Sequence, residues 1–287
     1  MMDSALTATG LDRFLTDWSP GPTITEDILS GLRLQQLAAT LDIGEQFADG
    51  DPVPPLWHWV FFLDWPPSAE LGADGHPRDG HFLPPIPNRR RMFAGGRLTV
   101  RQPLRVGHPA QRESRIASTA LKRGRSGELL FVTVRHVYRH DGTVRLVEEQ
   151  DLVYRSDTGA ATPFERADQP LPTVTVPWST SPQTDPALLF RFSALTGNAH
   201  RIHYDHAYAT GIEGYPDLVV HGPLLAIYLS ELVRAQGFVR EFSFKLQRPV
   251  FVGDSIRVQG QPDGGTVDLA VVSGAGDVHA TAHAVLA

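Results

Sequence analysis

Apolar residues crowd every face of one segment, GPLLAIYLSELVRAQG, in which Leu224, Leu225, Ile227, Tyr228, Leu229, Leu232 and Val233 leave little polar surface. A helix of that kind must be enclosed on nearly all sides. Gly222 reads as its N-cap, Pro223 as its first residue and Gly237 as the stop beyond its last turn. Four strand-like runs follow, Phe242 to Val252, Ser255 to Gln259, Thr266 to Val272 and Val278 to Leu286, with Gly and Asp between them. One long helix before four antiparallel strands is the pattern of a sheet curled around a helix.

The first half repeats the order less cleanly. Pro103-Leu-Arg-Val106-Gly107 and Pro249-Val-Phe-Val252-Gly253 share Pro-x-x-Val-Gly, and their prolines are 146 positions apart in a chain of 287 residues. That points to a duplication. Arg115 to Leu121, Leu129 to Tyr138 and Val144 to Tyr154 read as strands, with a hairpin at His140-Asp141-Gly142. Pro55 to Leu63 stands where the buried helix of the second half stands. Trp65 to Arg91, rich in Pro and Gly, predicts a long loop, which in a compact domain is usually functional or disordered. Ser156 to Thr184 is the natural connection, giving an N-terminal unit over 1–165 and a C-terminal unit over 166–287.

Composition narrows the chemistry. Cysteine is absent, which removes disulfides, thiolate metal sites and cysteine nucleophiles. The formal charge of −6 argues against nucleic acid as a partner. No apolar run approaches the roughly 20 residues of a membrane span, and the N-terminus carries Asp3, Asp12 and Asp17 in place of a secretory pattern, so the expectation is a cytoplasmic protein with no membrane partner. Of 26 basic residues only Lys122 and Lys245 are lysines, so a cluster of arginines carries little weight by itself.

The chemically dense stretch is Thr196-Gly197-Asn198-Ala199-His200-Arg201-Ile202-His203-Tyr204-Asp205. A short helix ends at Gly197 and projects the polar residues as a loop. Histidine there suits general acid–base work near neutrality. His200, His203 and His206 also form His-x-x-His-x-x-His, but that spacing on a short turn sends the outer two apart, and no metal is expected.

At these residues the sequence resembles the MaoC-like, or (R)-specific enoyl-CoA hydratase, family, whose motif reads approximately Ser/Thr-Gly-Asp-x-Asn-Pro-x-His. His200-Arg-Ile-His-Tyr-Asp205 with Tyr215-Pro-Asp-Leu-Val-Val-His221-Gly222 is similar to the two-hotdog subgroup that includes mesaconyl-C4-CoA (3-methylfumaryl-CoA) and itaconyl-CoA hydratases. The resemblance implies an α+β double hotdog, each half a curved antiparallel sheet around a long central helix. It implies reversible addition of water to a 2-enoyl thioester of CoA or acyl carrier protein, short and in one version branched and dicarboxylic, with no cofactor beyond the CoA of the substrate. His203 falls on the family's catalytic His and Asn198 on its catalytic Asp. A carboxamide has no usable basicity, so His203 becomes the main base while Asn198 positions water. The free N–H of Gly222 at the helix start is the candidate donor to the thioester oxygen.

The substrate-binding candidates are His200, Arg201, Asp205, His221, Arg89, Arg90 and Arg91. His200 either assists or bonds backbone; Asp205 either orients an imidazole, takes the second proton-transfer role, or caps the next turn; the three arginines either bind CoA phosphate or a carboxylate, or sit in a solvated loop. Leu37 to Gly44 ends a helix without supplying histidine, so one site per chain is expected, with the first half cradling the acyl-CoA. A hotdog thioesterase and a non-catalytic thioester-binding module are the competing readings. A double hotdog pairs its sheets internally, which leaves further assembly, a homodimer included, open.

Overall fold

The computed structural model describes residues 10–78, 82–86, 90–124, 127–155, 164, 166, 169–274 and 276–287. Its first half contains β1 (Thr23–Ile28), α1 (Gly31–Thr40), β2 (Arg90–Val100), β3 (Pro109–Gly124), β4 (Gly127–His140) and β5 (Thr143–Arg155). The second contains β6 (Trp178–Thr180), α2 (Pro186–Thr196), α3 (His206–Gly211), α4 (Gly222–Arg234), β7 (Val239–Leu246), β8 (Ile256–Asp263), β9 (Thr266–Ser273) and β10 (Val278–Leu286). The strands divide between β5 and β6; the boundary residue expected from the sequence, 165, lies outside the described residues.

All ten strands form one antiparallel sheet in the order β1-β3-β4-β5-β2-β7-β10-β9-β8-β6. The order is a palindrome of two five-stranded halves, joined where Gly95 to Thr99 of β2 pair with Lys245 to Glu241 of β7. Glycine is needed at 95, because a Cβ there would stand 2.4 Å from the Phe244 carbonyl oxygen. The halves also match in detail. Leu104 O accepts from Val53 N at 2.9 Å and Val250 O accepts from Val220 N at 2.8 Å, while Gly107 and Gly253 both adopt φ 79°. The Pro-x-x-Val-Gly repeat is thus the same turn built twice.

The match breaks just after Val53 and Val220. In the second half the chain continues into α4, whose Leu224 to Ser230 and Val233 are all buried beneath β7 to β10. The inner faces of those strands are apolar, among them Val258, Leu269, Val271, Ala280 and Ala284. In the first half the equivalent segment, expected as a second long helix, is a single 3-10 turn, Trp57–Val60. Prolines at 52, 54, 55, 66 and 67 crowd its flanks, and Leu56 and Phe62 take positive φ, so no helix extends from it. The sheet of β1 to β5 therefore curls around space. Among the described residues no helix is long and apolar enough to cross a membrane.

Candidate active site

The space left by the missing helix is a cavity of about 2140 Å³ that runs from the concave face of the first sheet to the start of α4. Asn198, His200, His203 and Gly222 all line it. Asp185 starts α2 by accepting from Leu188 N, and Gly197 stops it in the left-handed conformation, φ 62°, as the sequence predicts. The chain then turns outward through the catalytic-loop candidates to a 3-10 turn, Arg201–His203.

His203 is 7 % exposed, and its Nδ1 lies 2.7 Å from Val219 O. A carbonyl only accepts, so the proton sits on Nδ1 and Nε2 carries the lone pair. Burial pushes the ring's pKa down to about 4 against the partial support of the Val219 carbonyl, and the nearby charge of His76 lowers it further. The ring is a neutral base across the physiological range. Asn198 Oδ1 accepts from His200 N at 3.0 Å, which turns its NH2 the other way and makes the side chain a donor. Gly222 is the first residue of α4, with His221 as N-cap, one position earlier than the sequence suggested. Its N–H has no acceptor among the described residues, and the helix dipole stands behind it.

The other candidates separate. His200 lines the cavity between the rings of His203, 5.5 Å away, and His76, 4.2 Å away; burial first, and then competition with those two imidazoles for a proton, brings its pKa down to about 2. His221 is fully buried and absent from the cavity wall. It stacks on His203 at 3.7 Å and 18° and bonds Ser193 Oγ at 2.8 Å, which fixes the plane of the His203 ring from the side away from the cavity. Arg201 and Asp205 also leave the cavity: they pair at 2.7 Å, Arg201 lies over Tyr208 and bonds Ala73 O, and Asp205 caps α3. Arg91 does line the cavity. Arg90 begins β2, contrary to the loop expected there, and Arg89 lies outside the described residues.

Two groups escape sequence reasoning. The first is Asp74 and His76, at the tip of a short hairpin closed by the Leu71–Pro77 bridge. Gly75 packs so closely on the Ala199 carbonyl that a Cβ would overlap it at 1.8 Å, and Arg201 N bonds Asp74 O at 2.9 Å. One ligand atom from each of Asp74, His76 and His200 lies within 4.8 Å of the others, so they are the candidate metal ligands among the described residues. However, His76 Nδ1 is committed to Asp74 at 2.9 Å and the two imidazoles face each other, whereas a metal needs their nitrogens aimed at one point. His206 points away, 3.7 Å from Asp217.

The second group is polar and covers the concave face of the first sheet. Glu148, 2 % exposed, accepts from Trp59 (2.7 Å), Tyr138 (2.8 Å) and Gln150 (2.8 Å) and lies 2.9 Å from His58 Nε2. Its carboxyl is held below the ordinary range although burial alone would raise it, because His58 and the other donors outweigh burial. Beside it Arg112 lies 5.7 Å over Phe62, has no carboxylate partner among the described residues, and keeps a buried Nε without an acceptor. Thr25, Ser114, His136 and Tyr138 line the cavity with it.

The profile of hydroxyacyl-thioester dehydratase type 2 matches residues 56–252. The chain is 47 % identical over 261 residues to the mesaconyl-C(4)-CoA hydratase of Chloroflexus aurantiacus, covering 88 % of this chain and 92 % of that one. It is 28 % identical over 272 residues to the mitochondrial hydroxyacyl-thioester dehydratase type 2 of Schizosaccharomyces pombe, covering 82 % and 88 %. In fold it is similar to HtdX of Mycobacterium tuberculosis (TM-score 0.65, 17 % identity, 92 % of this chain and 99 % of that one). A MaoC-like dehydratase of Phytophthora capsici superposes with TM-score 0.63 at 15 % identity over 97 % and 98 %.

Proposed function

The chain belongs to the hydroxyacyl-thioester dehydratase type 2 family and is a hydro-lyase of 2-enoyl thioesters, and from that premise we propose that it hydrates a short, branched, dicarboxylic enoyl-CoA of the mesaconyl-C4-CoA kind. The observation that carries this reading is that His203 and the N-terminus of α4 border one cavity. The thioester oxygen takes the Gly222 N–H, where the helix dipole favours the negative charge of the enolate. Water sits between the Asn198 NH2 and His203 Nε2. His203 removes its proton as the oxygen attacks the β-carbon. The reaction uses acid–base groups of the chain and no cofactor beyond the CoA of the substrate.

The dicarboxylic part rests on the relative at 47 % identity and on Arg112. A fatty acyl tail lying on Arg112, Thr25, Ser114 and Tyr138 would desolvate them for no return, whereas a free carboxylate matches the guanidinium fork. The N-terminal half thus serves as the acyl cradle. Both halves line the cavity, so both contribute to the site within one chain.

The test follows the loss of the conjugated thioester's absorbance with crotonyl-, mesaconyl-C4- and itaconyl-CoA. Hydration with a preference for a dicarboxylic member is expected. Hydration of crotonyl-CoA alone would overturn the substrate class, and release of free CoA without hydration would restore the thioesterase reading.

A further inference from the structure

The family resemblance leaves a chemical gap. Hydration moves two protons, one off the water and one onto the α-carbon, and the loop that carries His203 offers Asn198 where a second acid–base group would stand. The remaining candidates on that loop are unsuited: Asp205 is tied to Arg201 and the start of α3, and burial holds His200 neutral.

The opposite half of the molecule fills the gap. The hairpin tip bearing Asp74 and His76 is locked onto the catalytic loop by Arg201 N to Asp74 O, by Arg201 to Ala73 O and by the contact of Gly75 with Ala199. Asp74 grips His76 twice, Oδ1 accepting from its backbone N at 3.0 Å and Oδ2 lying 2.9 Å from Nδ1. This is the carboxylate–imidazole arrangement that fixes a ring's orientation and stabilises its protonated form. The His76 side chain is 11 % exposed and lines the cavity with Asn198 and His203. Among the described residues, the titratable groups around it include Asp74 on its own hairpin and His200 and His203 on the catalytic loop, and the charge of Arg91 on β2 reaches His200. Two imidazoles with opposite partners thus border one space, a carbonyl behind one and a carboxylate behind the other. That contrast separates a base from an acid.

We propose that the Asp74–His76 pair is the proton donor of the reaction, delivered by the N-terminal half to the place where the catalytic loop carries Asn198. The step rests on the hydratase reading and conserves protons and electron pairs. His203 Nε2 takes a proton from water, the oxygen bonds to the β-carbon, and the C=C electron pair moves to the enolate held by Gly222 N–H. The enolate collapses as the α-carbon takes the proton of His76 Nε2. His203 then returns its proton to His76 through a cavity water, restoring both rings. His76 is a catalytic residue in this scheme, and Asp74 positions it.

The experiment compares the full-length wild type, His76→Gln, Asp74→Asn, Asn198→Asp and the double variant His76→Gln/Asn198→Asp on the best hydration substrate, across pH. His76→Gln should lower kcat by ~10²–10⁴-fold, the range of one general acid, with KM within about threefold. Asp74→Asn should move the alkaline limb of kcat to lower pH, because the imidazolium loses its counter-charge. Restoring a carboxylate at 198 should recover at least about tenfold of the lost rate in the His76→Gln background, whereas alone it should lower kcat, because the NH2 that holds the water is lost. If His76→Gln turns over like the wild type, the assignment fails. It also fails if His76→Gln is slow but Asn198→Asp gives no rescue and Asp74→Asn leaves the limb in place, the result of mere loop support. Loss of activity on chelation, reversed by zinc, would make the trio metal ligands and overturn it too. An inert wild type would instead refute the hydratase reading itself.

Discussion

Replacing Arg112 by methionine keeps most of the side chain's apolar stem against Phe62 and removes only the fork and its charge. The guanidinium has no carboxylate partner among the described residues, so the folded protein loses little by the change. The free carboxylate of the substrate loses its partner. A hydrogen bond to a charged group contributes about 1.5–3 kcal/mol, and the open cavity screens the pair, so one such increment in total is a sound figure. That corresponds to ~10–150-fold in kcat/KM, felt only by a substrate carrying a second carboxylate. Initial rates with mesaconyl-C4-CoA and crotonyl-CoA measure it directly: the first should fall by that factor and the second should stay within about threefold or improve. Arg112→Lys, with the charge but without the fork, should lie between. An equal fall with both substrates, or none with either, would refute the placement of the acyl carboxylate on this face.

Three further outcomes follow from the same geometry. Glu148→Ala leaves the donors of Trp59, Tyr138 and Gln150, and the buried His58, without their acceptor, and should destabilise the chain by about 3–5 kcal/mol, a fall in melting temperature of roughly 5–10 °C. Burial holds His136 and His203 near pKa about 4, below the ordinary 6.5. Being depressed in the fold, both contribute stability that is full above 6.5 and lost as pH falls toward 4, about 3 kcal/mol each; urea midpoints at the two ends of that window check this. Ser193→Ala removes the hydroxyl partner of His221 and should lower kcat severalfold with KM unchanged, as the ring stacked on His203 loses its anchor.

Much of the fold is legible in the sequence where one element decides its own form. Gly197 ends α2 because only a left-handed residue fits there, and β10 begins and ends at Val278 and Leu286 as its alternation indicates. Elements that depend on distant partners are less legible. β1 is polar and largely exposed, an edge defined only by its pairing with β3. β2 carries Arg90, Arg91, Gly95 and Gly96 and resembles a loop until β7 pairs with it across the two halves. Pro55 to Leu63 has the hydrophobicity of a buried helix but not the freedom from proline. In the site, the order Thr196 to His203 is local and readable. Asp74 and His76 are not, because only the docking of Gly75 on Ala199 brings them there. Arg112 is one of 24 arginines until the sheet places it on the concave face, where it borders the cavity as Arg91 and Arg155 do.

The central claim is that His203 activates water for a thioester held by the first amide of α4. Its most direct test is the hydration rate of mesaconyl-C4-CoA by His203→Gln, with folding checked by its melting curve. A loss of ~10²–10⁴-fold in kcat with a folded protein is expected for removal of a general base. A folded variant that hydrates the thioester within about threefold of the wild type would contradict the account.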